Sequence, residues 1–135
     1  MNNDRFRFRT PYYLGEKFAG FQYWEFEHGR VKLIGEYWEP WVSKRDILTA
    51  KPDEQCTGLK DKNGILIYKG DTVRYWWNQK TNIGTICWDN YFARFCIANN
   101  KEHSTEAPDC LMFVADKKII EIIGNIHEQT EQKDK

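Results

Sequence analysis

Apolar and polar residues alternate with a period of two along much of the chain, and this pattern predicts a protein built mainly from β-strands. In the N-terminal half, residues 18–27 and 30–36 are rich in aromatic and β-branched side chains and flank His28-Gly29. Two such runs around a short turn predict a β-hairpin. In the C-terminal half, shorter runs predict a meander of strands over residues 72–77, 83–88, 91–98, 110–115 and 118–126.

Glycine-containing corners separate the strands of the C-terminal half. Asn63-Gly64 supplies two residues that tolerate positive φ just before an apolar alternation, so we predict a tight turn there. Gly70-Asp71 predicts a second corner. Gly84 lies within a strand-like run, where the missing side chain indicates a bulge or a close approach of another backbone. Short strands bent at such corners predict a small, SH3-like bent β-barrel.

The predicted fold class is mainly β, a β-rich α+β chain with little helix. Ser43, with Asp46 three residues later, is an N-cap pattern that predicts a short helix over residues 44–50. The polar residues 52–55 are interpreted as a linker. We therefore predict three segments, a β-rich N-terminal subdomain that contains the hairpin (residues 1–52), the small barrel (residues 53–126) and a polar tail (residues 127–135).

Sequence blocks around the predicted corners occur in a specific order. They are Arg7-Phe8-Arg9, Thr57-Gly58-Leu59-Lys60-Asp61-Lys62-Asn63-Gly64, Ile67-Tyr68-Lys69-Gly70-Asp71-Thr72-Val73 and Ile123-Gly124-Asn125-Ile126-His127-Glu128. In this order they resemble the YopX family of phage and prophage proteins, over about half of the chain. The sequence departs from the family pattern at Cys56 and His127, where aromatic residues are more usual, at Lys69, where Glu is common, and at Thr10-Pro11, where the family has a Trp.

The resemblance implies a mainly β, oligomeric protein of a phage or prophage. It implies no activity, because the molecular function of the family is not established, and it supplies no catalytic residues. We therefore expect a homo-oligomer, with a host or phage protein as a possible further partner.

Composition favours protein contacts over nucleic-acid binding. Hydrophobic residues make up 41% of the chain and aromatic residues 16%, and the rings are densest over residues 23–41. This excess indicates either a core of large rings or rings at subunit interfaces. Lys plus Arg and Asp plus Glu each number 20, so the formal net charge is zero. Duplex binding takes its affinity from many phosphate contacts, and the chain has no basic domain to supply them.

The cysteines predict neither a zinc site nor a secreted protein. Cys56, Cys87, Cys96 and Cys110 include no Cys-x-x-Cys pair, and no His stands at zinc-ligand spacing. No apolar signal segment or membrane-length apolar run occurs. We expect a cytoplasmic protein of the bacterial host cell, with no cofactor, no metal and no membrane partner, whose cysteines are reduced. Cys87 and Cys96 lie in strand-like runs, which favours small core side chains over reactive thiols.

The N-terminal arginines are the first candidate binding residues. Strand alternation places Arg5, Arg7 and Arg9 on one face and Phe6 and Phe8 on the other. Two interpretations stay open: an outer strand whose charged solvent face discourages edge pairing, which we favour, or a stripe that binds nucleic acid or a partner.

Residues 74–77, Arg-Tyr-Trp-Trp, form the second candidate together with Lys80. Alternation sends Tyr75 and Trp77 to one side of a strand and Arg74 and Trp76 to the other. An exposed Trp beside an Arg stacks on bases or anchors a protein partner. The competing interpretation, which we favour, is a ring that caps the end of the barrel.

Sequence patterns of enzymes are weak in this chain. His103, with Glu102, Glu106 and Asp109 nearby, is one cluster of potential ligands or acid–base groups, but it lies in a long polar loop that predicts solvated side chains. No phosphate-binding glycine loop and no Gly-x-Ser-x-Gly elbow is found. We therefore expect a non-enzymatic protein that acts through self-association and protein contacts, with nucleic-acid binding as the alternative function.

Overall fold

A computed structural model describes residues 6–77, 79–90, 93–99, 109–110 and 119–128 of the chain. The fold is mainly β, with two antiparallel sheets, which confirms the predicted class. The chain forms two compact units, Met1–Cys56 and Thr57–Lys135. Within the described residues, no helix is long and apolar enough to cross a membrane.

The first unit is built around the predicted β-hairpin. β2 and β3 are joined by His28 and Gly29, both with positive φ (53° and 75°), as a two-residue hairpin turn requires. The order of neighbouring strands is β3-β2-β1-β5, and β4 pairs with β1. The strand bounds are β1 Arg7–Leu14, β2 Lys17–Glu27, β3 Arg30–Trp38, β4 Thr49–Ala50 and β5 Glu54–Lys60.

β1 is an interior strand, so the predicted outer strand is wrong. It pairs with β2 along its length, and on its other side Tyr12 and Tyr13 pair with β4 while Phe8 and Arg9 pair with β5. Local alternation does not distinguish an edge strand from an interior one, because the distinction depends on strands that arrive much later in the chain.

Aromatic rings cover both faces of the β1–β2 pair. On one face, Phe18 and Phe21 are buried and their ring centroids lie 4.9 Å apart. On the other face, Phe8 stacks on Trp24 with a centroid distance of 4.6 Å and an interplanar angle of 17°. Many of the clustered rings predicted at core or subunit contacts are therefore packed against one another within this unit.

The predicted short helix over residues 44–50 is absent. The Ser43 amide donates to the Asp46 carboxylate, and the Asp46 amide donates to the Ser43 carbonyl, so the capping pattern closes a single turn. Thr49–Ala50 then pairs with β1, because strand pairing with β1 outweighs the weak helix propensity of residues 44–50. Glu54 and Gln55, predicted in the linker, are the first residues of β5.

The second unit contains residues 57–60 of β5 with their neighbour β6, and a five-stranded sheet of order β10-β9-β8-β7-β11. Its core is the inward face of this sheet, where Tyr75, Ile86 and Ile120 are almost fully buried. After β11, residues Ile126–Glu128 form one turn of 3₁₀ helix. The strand bounds are β6 Leu66–Tyr68, β7 Asp71–Trp77, β8 Lys80–Asp89, β9 Arg94–Asn99, β10 Asp109–Cys110 and β11 Ile120–Asn125.

Both predicted corners are confirmed. At the first, Gly64 has a φ of 81°, and the Asp61 amide donates to the Ile65 carbonyl at 2.8 Å. At the second, Gly70 has a φ of 95°, and the buried Asp71 carboxylate accepts a hydrogen bond from the Tyr68 amide at 2.8 Å. Positive φ costs glycine almost nothing, which is why both corners contain one.

β8 extends into both of the turns predicted for the meander. Trp77 pairs with Lys80, so the last three residues of the loop predicted over residues 78–82 belong to β8. Asp89 pairs with Arg94, so Asp89, predicted in a two-residue turn, belongs to β8, and β9 begins at Arg94. The strand predicted over residues 110–115 is described only at Cys110, and the predictions for residues 100–108, 111–118 and 129–135 lie outside the described residues.

Gly84 is the predicted close backbone crossing, and its replacement tests the packing of β8 against β9. A Cβ at this position would lie 2.6 Å from Ile97 Cγ2 and 2.7 Å from the Ala98 carbonyl oxygen. Because the second neighbour is backbone, Gly84→Ala forces the strands apart, and we expect a loss of about 1–3 kcal/mol in the free energy of unfolding. Denaturant unfolding measures this, with Gly35→Ala, where a Cβ meets nothing within 4 Å, as the control. Equal stability of the two variants would contradict the crossing.

Candidate interaction surfaces

The first candidate surface lies on the outward side of β7. Tyr75 is buried whereas Trp76 is 55% exposed and Arg74 is exposed, so the predicted alternation is confirmed over these three residues. Ile83 of β8 is the Cα partner of Arg74 and lies on the same side. We name Arg74, Trp76, Ile83 and Glu121 the Trp76 face. It offers one large ring beside a guanidinium group.

The charge of Arg74 is largely compensated on this face. Arg74 Nη2 donates to Glu121 Oε1 at 2.7 Å, and Lys62 Nζ lies 3.6 Å from the same oxygen. The hydrogen bond from Arg74, followed by the charges of Lys62 and Arg74, lowers the pKa of the Glu121 carboxyl below its usual value. Glu121 is therefore ionised at neutral pH, and this one anion is shared by two cations, Arg74 of the face and neighbouring Lys62.

Lys80 does not join the Trp76 face. It is exposed, and its Cα partner is Trp77, which places Lys80 on the opposite side of the β7–β8 pair from Arg74 and Trp76. The structure therefore brings together two of the three C-terminal residues proposed for binding.

The N-terminal arginines do not form one solvent-facing stripe. Arg5 lies outside the described residues. Arg7 is partly exposed, and its Nε lies 3.2 Å from Glu25 Oε1. Arg9 is buried: its Nε donates to Glu54 Oε1 at 2.6 Å, and its guanidinium carbon lies 4.3 Å from the centroid of the Phe21 ring. The predicted charged solvent face is thus wrong at Arg9, although binding by these residues is untested.

The second candidate surface, which the sequence analysis missed, lies on β3. Every residue from 30 to 37 is exposed, including Val31 (61%) and Leu33 (62%). Phe26, the Cα partner of Val31, is 49% exposed on the same side, and Leu33 pairs with Trp24. We name Phe26, Val31 and Leu33 the β3 patch. The alternation of Val31 and Leu33 with Lys32 was visible in the sequence, but alternation alone does not say whether the apolar side of a strand is covered.

The cluster of His103, Glu102, Glu106 and Asp109 cannot be assembled from the described part of the chain, since the first three lie outside it and only the backbone of Asp109 is placed. Among the residues that the structure describes, no group of three or more His, Cys, Asp or Glu side chains is arranged to hold a metal ion.

Comparisons with known proteins found a matching family and similar solved structures. The family model described as YopX protein matches residues 40–132. The crystal structure of protein EF1440 from Enterococcus faecalis is 19% identical to this chain, and the alignment covers 93% of this chain and 96% of that one, with a TM-score of 0.43. No protein with a curated description matches.

Proposed function

The chain belongs to the YopX family, whose model covers residues 40–132, and we propose that it is a non-enzymatic protein of phage or prophage origin that acts through self-association and protein contacts. The observation that carries this proposal is the β3 patch, an exposed apolar surface on a strand that, among the described strands, pairs with β2 alone.

The β3 patch has the chemistry of a protein contact. Phe26, Val31 and Leu33 expose about half or more of their surface, on one side of one hairpin. Fully burying an aliphatic side chain stabilises by about 1.5–3 kcal/mol, so adjacent exposed ones on a protein surface commonly mark an interaction site. Half-buried Phe8 and Trp24 lie beside the patch on the same face of the sheet, and both rings make edge contacts with Phe26.

We propose a second copy of the chain as the occupant of the patch. The formal net charge of zero means that two copies do not repel each other at long range. The contact is made by the apolar side of the strand and not by its backbone edge, because β3 carries an irregularity opposite Tyr23 and Trp24, and bulges together with charges such as Lys32 blunt an edge against strand addition.

Leu33→Asp tests this proposal. At micromolar concentration, size-exclusion chromatography with light scattering should give a dimer or larger oligomer for the unaltered protein and a monomer for Leu33→Asp, because a carboxylate buried in an apolar contact is strongly disfavoured. The apparent dissociation constant should rise at least tenfold, which corresponds to about 1.4 kcal/mol.

Ile47→Asp is the matched control, because Ile47 is 89% exposed, belongs to the same unit and lies outside the β3 patch. It should leave the oligomer unchanged. If the unaltered protein is a monomer under these conditions, the proposal of self-association is wrong. If Leu33→Asp and Ile47→Asp lose the oligomer equally, the contact is not made by the β3 patch.

Nucleic-acid binding is the alternative function, and the Trp76 face favours it. Trp76 is an exposed ring beside a guanidinium group, an arrangement that stacks on a base. The pairing of Arg74 with Glu121 weakens the attraction to phosphate. A gel shift with a single-stranded oligonucleotide at low salt, reduced by raised salt and by Trp76→Ala, would support this alternative, and no shift would remove it.

We also retain three finer proposals. We propose that the protein is cytoplasmic in a bacterial host cell, where thiols stay reduced, and the free thiols of Cys56, Cys87 and Cys96 accord with this location. An SH3-like barrel over residues 53–126 is supported by the sharp corners at Gly64 and Gly70 and by the close crossing at Gly84. Absence of enzymatic activity is supported by the lack of recognised catalytic sequence motifs.

A further inference from the structure

Cys87 and Cys96 lie directly opposite each other on neighbouring strands. They are Cα partners in the β8–β9 ladder, and their Sγ atoms are 2.7 Å apart. Each Sγ also points toward the other residue's carbonyl oxygen, at 3.6 and 3.5 Å. Neither cysteine is in a disulfide. The sequence suggested two independent small core side chains, whereas the structure brings the two thiols into mutual contact.

The backbone already has the geometry that a disulfide needs. Directly opposed residues of antiparallel strands have Cα atoms about 4.5–5.5 Å apart, within the range of about 4.4–6.8 Å found across disulfides. The bond itself requires an S–S distance of about 2.05 Å, so small rotations of the two side chains suffice. Strand pairing holds the two residues in this register whether or not the bond exists.

The two thiols differ in access to solvent. Cys87 is half-buried, whereas Cys96 is fully buried. Burial, followed by the hydrogen bond with Cys87, raises the pKa of Cys96 to about 12. Because the thiolate is the attacking form and needs access to the oxidant, Cys87 is the residue that reacts first.

We propose that Cys87 and Cys96 are a thiol pair that a low-molecular-weight disulfide, such as oxidised glutathione, converts into a disulfide across β8 and β9. The modification closes this hairpin covalently, and a small-molecule thiol reverses it. The site differs from both interaction surfaces and does not depend on the proposed function.

The reaction balances as two thiol–disulfide exchanges. Cys87 Sγ, after losing its proton to water, attacks one sulfur of the oxidant, whose S–S bond breaks and releases one thiolate that takes up a proton. Cys96 Sγ then loses its proton and attacks Cys87 Sγ, which releases the second small thiol. Two electrons pass from the protein to the oxidant, and one disulfide in solution is exchanged for one disulfide in the protein.

Peptide mapping tests the site directly. The reduced, folded protein is incubated with oxidised glutathione, quenched in acid, alkylated and digested with trypsin. Cleavage after Arg94 places the two cysteines on separate peptides. The disulfide then appears as a linked pair whose mass is two hydrogen atoms less than the sum of the two reduced peptides. Far-UV circular dichroism before and after oxidation establishes that the chain remains folded.

Variants of the other cysteines identify the bonded pair. Cys110 of β10 is also a Cα partner of Cys96, and Cys56 lies in β5. Cys110→Ala and Cys56→Ala should keep the linked peptides, and Cys87→Ala, which replaces only a half-buried side chain, should lose them while the protein stays folded. The proposal is overturned if the folded protein gives only a glutathione adduct on Cys87, links Cys96 to Cys110 instead, or does not react.

Discussion

Glu54→Ala is expected to lower the free energy of unfolding by about 3–5 kcal/mol, because it leaves the buried guanidinium of Arg9 without its carboxylate. Arg9 Nε and Glu54 Oε1 are 2.6 Å apart, and both side chains are almost completely excluded from solvent. The Arg9 guanidinium also lies over the Phe21 ring, which attracts a cation but does not neutralise its charge. Urea unfolding followed by circular dichroism measures the loss.

Glu25→Ala is the matched control for this pair. Glu25 of β2 lies 3.2 Å from Arg7, which is on β1 like Arg9, but both of these side chains are partly exposed. Partly exposed ion pairs contribute about 0.2–1 kcal/mol, so the control should be nearly neutral. A Glu54→Ala variant as stable as Glu25→Ala would mean that water reaches Arg9 in solution.

The burial of Arg9 also bears on the alternative function. A cation that is hydrogen-bonded to a buried carboxylate on an interior strand has to leave that partner before it contacts a phosphate. Of the six residues that the sequence nominated for binding, Arg74 and Trp76 are therefore better placed than Arg9.

Asp61→Ala is expected to cost about 3 kcal/mol or more in the free energy of unfolding, because three backbone N–H groups lose their acceptor. Asp61 is buried, and its Oδ1 accepts hydrogen bonds from the Asn63 and Ile65 amides at 2.8 and 3.0 Å. Its Oδ2 accepts a hydrogen bond from the Ile122 amide at 3.1 Å. One carboxylate thus closes the turn and attaches it to β11.

Asp61→Asn separates the two contributions of this carboxylate. The side-chain oxygen of Asn can still accept from Asn63 and Ile65, but its NH₂ group would face the Ile122 amide, and two donors repel. We expect an intermediate loss of stability and faster amide hydrogen exchange at Ile122, with the turn amides still protected. Equal exchange at all three amides in Asp61→Asn would show that the attachment to β11 does not depend on the second oxygen.

Sequence patterns predicted the local structure of this protein correctly at positions where the backbone conformation or a close contact strongly favours glycine. Gly64 and Gly70 adopt positive φ at the predicted corners, and the backbone of β9 passes within van der Waals reach of Gly84. The failures share one cause. The helix after Ser43, the linker before Cys56 and the outer position of β1 were inferred from near neighbours, and each was changed by pairing between strands that are distant in the chain.

For the candidate surfaces too, the sequence predicted what depends on neighbouring residues and missed what depends on distant strands. Alternation alone separated buried Tyr75 from exposed Trp76, since a strand gives neighbouring residues opposite sides. It could not separate Arg9, which is covered, from Leu33, which is not, because burial depends on what packs over a face.

The order of residues by itself determined the strand periodicity, the positions of the sharp turns and the membership of a family, since each depends on a few consecutive side chains. Only the tertiary structure decided which strands are interior, that Glu54 neutralises Arg9, that β3 presents an uncovered apolar side and that two thiols face each other. These depend on the register between strands, and register is set by the free energy of packing the whole sheet rather than by any one segment.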